Sequence, residues 1–376
     1  MFCMAKAGFN RWQAGLALAL AWVSAAGVAE PASAPPPPGE ARWARAPRFY
    51  GRITASELGL VINTADPYSI AVGEYYARRR GIPLEQILRV QLPLRPSVTR
   101  EEFAALDQAI RSQMPENVNG LALAWVQPYA VDCNSLTSAL GVGLQPELCS
   151  RSCAATRTSP YTAYFGARPW LVIGVRPTMQ LAARSVPAAM AMIERGIAAD
   201  HTLAGGAAEP AMAYLASTPD AARNVRERLF PPVGPVPGVA GFEVARVRSD
   251  ALPALRRTLI YETGLIRVPK PLGGEWLPGA LADHLTSAGG VLDKSPTDEG
   301  QMNILDWIDA GATASYGAVS EPCNHVQKFP HPQMLIQAYA QGLSALEAYW
   351  HSVAWPAQGV FVGEPLAAPF APVPAP

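Results

Sequence analysis

Short apolar runs alternate with amphipathic stretches through the opening third of the chain. Residues 58–63 (Leu-Gly-Leu-Val-Ile-Asn) are too continuously apolar for a half-exposed strand and predict a buried one. Asp66 and Pro67 suit the cap and first position of a helix that stops at Gly81, ahead of Pro83. Residues 87–92 predict a second strand. Thr99 and Glu102 have capping-box spacing, and Phe103, Leu106 and Ile110 share one face of the helix that follows. Met114-Pro115 closes it, and 120–126 predicts a third buried strand. This β-α-β-α-β order is the mark of parallel strands joined by helical crossovers.

The rhythm breaks over 128–169, a long loop rich in Ser and Thr that holds Cys133, Cys149 and Cys153. It then resumes, with strands expected at 171–175, 211–216, 242–247, 313–319 and 359–362. Helices are expected around Met190, Ile193 and Ile197, from Thr218-Pro219, over 301–310 up to Gly311, and as one long element over 332–353. Pro231 to Pro237 marks a boundary between an N-terminal half, 58–230, and a C-terminal half, 238–367. The tail 368–376 is proline-rich and expected to be loose. The fold class is α/β: a mostly parallel sheet flanked by helices in Rossmann-like layers.

The first residues read as a targeting signal. Lys6 and Arg11 precede an apolar stretch, 14–23, and Gly27-Val28-Ala29 offers a small-x-small cleavage site. A cut after Ala34 would leave Pro35 at the new terminus, and an uncleaved signal anchor is the other reading. Residues 30–57 form a linker whose prolines 35–38 make a stiff spacer. With 49% of residues hydrophobic, a sizeable core is expected. Net charge is zero, and the one basic run, Arg78 to Arg80, suits a helix end, so no nucleic-acid partner is expected. Partners are otherwise unspecified. No apolar run after the signal is long enough to span a membrane. No dinucleotide or phosphate-loop fingerprint is present, so no cofactor is expected.

Cys3 leaves with the signal, and four cysteines remain. In an exported chain an even number favours two disulfides, and three pairings are possible. Cys133 with Cys323, both at strand ends, and Cys149 with Cys153 are the favoured pairs. A metal at Cys149-x-x-x-Cys153 lacks a second ligand pair.

Ligands in parallel sheets bind beyond the carboxyl ends of strands. Four loops there carry polar groups: 63–66, 127–134, 283–287 and 320–325. Their pocket candidates are Asn63, Asp66, Asp132, Asp283, Ser287, Glu321, Asn324 and His325. His284 and Cys323 form a candidate nucleophilic pair, with backbone N–H groups near Gly289 as an oxyanion hole. The opposing reading places Cys323 in a disulfide and makes His284 a structural hydrogen-bonder.

Two stretches carry a family resemblance. Residues 63–83 hold Asn-Thr, Ser-Ile-Ala-Val, Tyr-Tyr and Arg-Gly-Ile-Pro. Residues 311–370 hold Gly-Ala-Thr-Ala-Ser-Tyr-Gly, Ser-Glu-Pro-Cys-Asn, Gly-Leu-Ser-Ala-Leu-Glu-Ala-Tyr and Gly-Glu-Pro-Leu. Together these resemble an uncharacterised family of exported bacterial proteins. The closing part also resembles, remotely, the gingipain-type cysteine peptidases, through Gly311 to Gly317, Gly342 to Ala348 and Gly363-Glu364-Pro365. That resemblance implies a caspase-like fold. Those peptidases pair a His-Gly with a Cys preceding the Gly-Ala strand. No histidine here is followed by glycine, and residues 283–290, where that Cys would fall, contain none. The resulting expectation is an exported, periplasmic or extracellular, non-peptidase protein with a binding or envelope role. The alternative is a cysteine-dependent hydrolase using the 283–287 and 321–325 loops.

Overall fold

The strand β1 (Leu58–Asn63) is buried at all six positions, as a continuous apolar run requires. In α1 (Pro67–Arg80) the Asp66 carboxylate accepts the Tyr68 N–H, and Gly81 ends the helix at φ 65°, a left-handed turn that suits glycine. β2 (Ile87–Val90) and the short β3 (Ser97–Val98) lead to α2 (Arg100–Gln113). Its capping box joins Thr99 to Glu102, and its buried face is Phe103, Leu106 and Ile110. β4 (Gly120–Leu123) follows, fully buried, and β1 pairs in parallel with both β2 and β4. These elements belong to a computed structural model that describes residues 42–269, 274–294 and 300–373. The signal segment, the proline spacer and residues 374–376 lie outside the described residues.

The cysteine-rich stretch is less irregular than its composition suggests. It forms β5 (Ala130–Val131), β6 (Asn134–Ser135) and α3 (Leu136–Val142), and β3, β5 and β6 make a small second sheet. Where a strand was expected at 171–175, the chain instead makes a short helix, α4 (Pro169–Ile173). Pro169 opens it and Gly174, at φ 67°, stops it, leaving Leu171 and Val172 exposed. The strand is the next segment, β7 (Thr178–Gln180), too short and too polar to read from periodicity. α5 (Val186–Ala199) and β8 (Ala211–Ser217) fall where expected. Thr218-Pro219 opens no α-helix; a 3-10 segment, Asn224–Leu229, follows it.

The edge strand β9 (Gly234–Pro235) precedes β10 (Phe242–Arg248), then β11 (Leu255–Thr263) and β12 (Gly274–His284). The last two escaped the sequence reading because their alternation is broken. Their register shifts twice, and Arg257 sits at φ 48°. α6 (Leu305–Ala310) is shorter than 301–310, and β13 (Ala314–Ala318) is wholly buried. The single helix expected over 332–353 is two, α7 (Pro332–Ala340) and α8 (Ala345–Ser352). Gly342 turns the chain at φ 91°, and Ser344 then caps α8 with Glu347. β14 (Gly359–Gly363) closes the sheet.

The strand order is β2-β1-β4-β7-β14-β13-β12-β11-β8-β10-β9. Pairing is mostly parallel, with antiparallel contacts at β13–β14 and β9–β10. Val362 of β14 stands opposite Gln180 of β7, which joins the two parallel blocks. The fold is therefore α/β, a large mostly parallel sheet between helices. The Pro231 to Pro237 stretch does not divide it, because β8 pairs with both β10 and β11. The described residues make one compact unit. Two end segments are more integrated than expected. Ile53, assigned to the linker, is fully buried and donates its N–H to Glu347 at 3.1 Å. Ala368, Phe370 and Ala371, assigned to a loose tail, are buried in the core.

Candidate functional site

Loops following three strands meet at one edge of the sheet. The Tyr129 hydroxyl, beyond β4, donates to Asp293, beyond β12, at 2.7 Å. Ser320, beyond β13, donates to the Cys133 carbonyl at 2.6 Å, and the Gly290 N–H donates to the Ala318 carbonyl at 2.8 Å. Of the four loops singled out from the sequence, three therefore converge: 127–134, 283–287 with its continuation, and 320–325.

Cysteine pairing differs from the favoured reading. Cys133 bonds to Cys149 and Cys153 bonds to Cys323. Cys323 is a half-cystine as expected, but its partner is Cys153, because the 150–153 segment folds over the 320–328 loop. His325 Nε2 lies 2.8 Å from the Cys153 carbonyl, and Lys328 Nζ donates to the Ser152 carbonyl at 2.7 Å. Cys323 and Asn324 both take positive φ, 60° and 54°, and the Glu321 carboxylate accepts the Cys323 N–H at 2.7 Å. These contacts set the loop, and they leave His325, Asn324 and Glu321 at the surface or half-buried. Lys328 is nearly inaccessible; burial pushes its pKa down to about 8, with Glu321 pulling the other way.

His284 ends β12 and is buried. Its Nδ1 accepts from the Trp307 indole N–H at 2.9 Å, so that nitrogen carries no proton, and Nε2 donates to the Met302 carbonyl at 3.1 Å. Both nitrogens are thus occupied, and burial pushes the pKa down to about 4. A neutral, sealed imidazole and a disulfide sulfur cannot form the nucleophilic pair: a disulfide has no thiolate to offer. In this arrangement Cys323 is a half-cystine and His284 a buried hydrogen-bonder.

Asp283 is also no pocket residue. It is fully buried beside Glu262, its register partner on β11, and both face Arg226 of the 3-10 segment. Arg226 Nη1 lies 2.7 Å from Asp283 and 3.5 Å from Glu262, and Nη2 donates to the Thr263 carbonyl at 2.7 Å. Burial pushes both carboxyl groups up while Arg226 pulls them down, Glu262 ending the further raised. One guanidinium thus faces two buried carboxyl groups, which titrate as a coupled pair. This cluster sits at the ends of β11 and β12 and is closed to solvent. Arg226 was missed because Arg-Glu-Arg reads as a solvated face. Glu262, directly after the apolar Leu-Ile-Tyr run, was the legible hint.

The remaining candidates divide by role. Asn63 is buried and braces the strand-end turn, accepting the Leu92 N–H at 2.9 Å and donating to its carbonyl at 3.1 Å. Asp66 is the cap of α1, and Ser287 is half-buried in the turn after β12. Asp132 lines an open polar cleft of about 370 Å³ with Arg95, Ser97, Thr99 and Arg100. It pairs with Arg100, while Arg95 pairs with Glu102. Among the described residues no three His, Cys, Asp or Glu side chains converge as metal ligands. Compared with known proteins, the chain matches no family model and no curated protein.

Proposed function

We propose that the chain is an exported, non-peptidase protein of caspase-like fold that acts by binding, at the edge where the loops after β4, β12 and β13 meet. One observation carries this reading: the Cys323 sulfur is bonded to Cys153, in a loop further held by His325 and Lys328. The ends of β11 and β12 hold the sealed Arg226, Asp283 and Glu262 cluster. Two disulfides fit an oxidising compartment. Among the described residues no helix is long and apolar enough to cross a membrane. Asp132, in the loop after β4, also lines an accessible cleft with residues 95–101, whose paired charges and hydroxyls suit a polar ligand.

The test is to treat the native protein with a fluorescent iodoacetamide and map its peptides without reduction. The expected outcome is no label on Cys323 and recovery of the peptide pairs Cys153 with Cys323 and Cys133 with Cys149. Rapid labelling of Cys323 that slows in a His284→Ala variant would instead favour the cysteine-dependent hydrolase.

A further inference from the structure

We infer that a second cleft, at the carboxyl end of α7, binds an organic anion carrying an apolar body. The cleft measures about 700 Å³ and lies between residues 46–52, the turn 237–239 and residues 337–342. That volume is in the range of small-molecule sites, roughly 300–1,000 Å³. It stands at the opposite end of α7 from the Cys323 loop, so the inference is separate from the role proposed for that edge.

The charge on its wall is of one sign. Arg48 and Arg52 both line it, and among the described residues no Asp or Glu does. Arg48 is exposed and lies 6.0 Å from the centre of the Tyr50 ring. Arg52 is within electrostatic reach of the Glu347 carboxyl. That carboxyl lies buried behind the wall, where it accepts from Ile53 and Ser344. Gln341 is spent on the chain itself: it accepts the Phe49 N–H at 3.3 Å and donates to the Pro47 carbonyl at 3.1 Å. Gln337 is not, for its side-chain nitrogen is buried without a hydrogen-bond partner. The wall therefore presents two guanidiniums beside apolar Phe49, Val239 and Ala340.

Planar guanidinium forks match carboxylate and phosphate oxygens in pairs. The end of α7 contributes carbonyls, which repel an anion, so the two arginines carry the recognition. The apolar wall gives the rest of the ligand a surface to cover.

The experiment is calorimetric titration of the full chain with sodium octanoate, with octyl phosphate and with neutral octanamide. At least one of the two anions is expected to bind about tenfold or more tighter than octanamide, and the tighter of them identifies the preferred oxyanion. Arg48→Ala and Arg52→Ala should each weaken that anion about tenfold, whereas Arg78→Ala, on the exposed end of α1, should not. If Arg52→Ala fails to fold, Arg48→Ala, an exposed side chain, decides alone. Octanamide binding as tightly as the anions, unchanged affinity in Arg48→Ala, or no binding of either anion would overturn the inference.

Discussion

His351 shows how a buried titratable residue ties the fold to pH. Its ring lies 4.2 Å from Tyr161 and 4.6 Å from Phe49, with Nδ1 lacking a partner, and burial pushes its pKa down to about 3. The unfolded ring titrates near 6.5, so the unfolded chain takes up a proton that the folded chain refuses. The stability this contributes is present above pH 6.5 and is lost as pH falls toward 3. His284, held down to about 4, acts in the same sense. Glu347 acts in the opposite sense: burial raises it to about 7 from 4.5, so its contribution is present below pH 4.5 and lost as pH rises through 7. Thermal melts should therefore fall less steeply between about pH 6.5 and 4 in a His351→Phe variant than in the native chain. An unchanged slope would mean the ring does not stay neutral. At this scale the sequence could nominate His284 and Cys323, but their roles depended on partners far along the chain. Trp307 and Met302 hold the first, and Cys153 holds the second.

Elements whose boundaries rest on local chemistry were legible. The Asp66-Pro67 start, the Gly81 stop and the Thr99 to Glu102 box each satisfy their own backbone groups within a few residues. β7, β11 and β12 were not, since a three-residue polar strand and two bulged strands lack a period and are held by their neighbours in the sheet. The two disulfides act on elements of different reach. Cys133 and Cys149 are 16 residues apart, while Cys153 and Cys323 are 170 apart and tie the loop before α4 to the strand end after β13. In chain-entropy terms their loops correspond to about 3 and about 5 kcal/mol. A Cys153→Ser/Cys323→Ser variant should accordingly lose more stability in urea than Cys133→Ser/Cys149→Ser. Equal losses would show that loop length does not govern their contribution.

Among the described residues, one sheet of eleven strands runs through both sequence halves. β8, from the first half, lies between β10 and β11 of the second, and β14, from the end of the chain, stands next to β7. Neither half can complete its sheet alone, and bare strand edges would remain on both. Urea unfolding should therefore be a single transition, coincident by near- and far-ultraviolet circular dichroism, and the isolated fragment 238–376 should remain unfolded. Two separated transitions, or a folded fragment, would restore the boundary at Pro231 to Pro237.

What the sequence determined by itself was the part of the molecule written in short-range pattern. That part comprises the alternating β and α elements of 58–123, the buried character of β1, β4 and β13, and the α/β class, because apolar runs, caps and prolines act over one or two turns. Tertiary structure alone decided which strands are neighbours, which cysteines meet, and which charges are sealed. Arg226 and Asp283 lie 57 positions apart, with Glu262 between them in the chain, yet the three meet in one buried cluster, and Arg48 and Gln337 come from opposite ends to line one cleft. Such encounters follow from sheet order and helix packing, in which the free energy of burial is summed over the whole core and no local segment carries it.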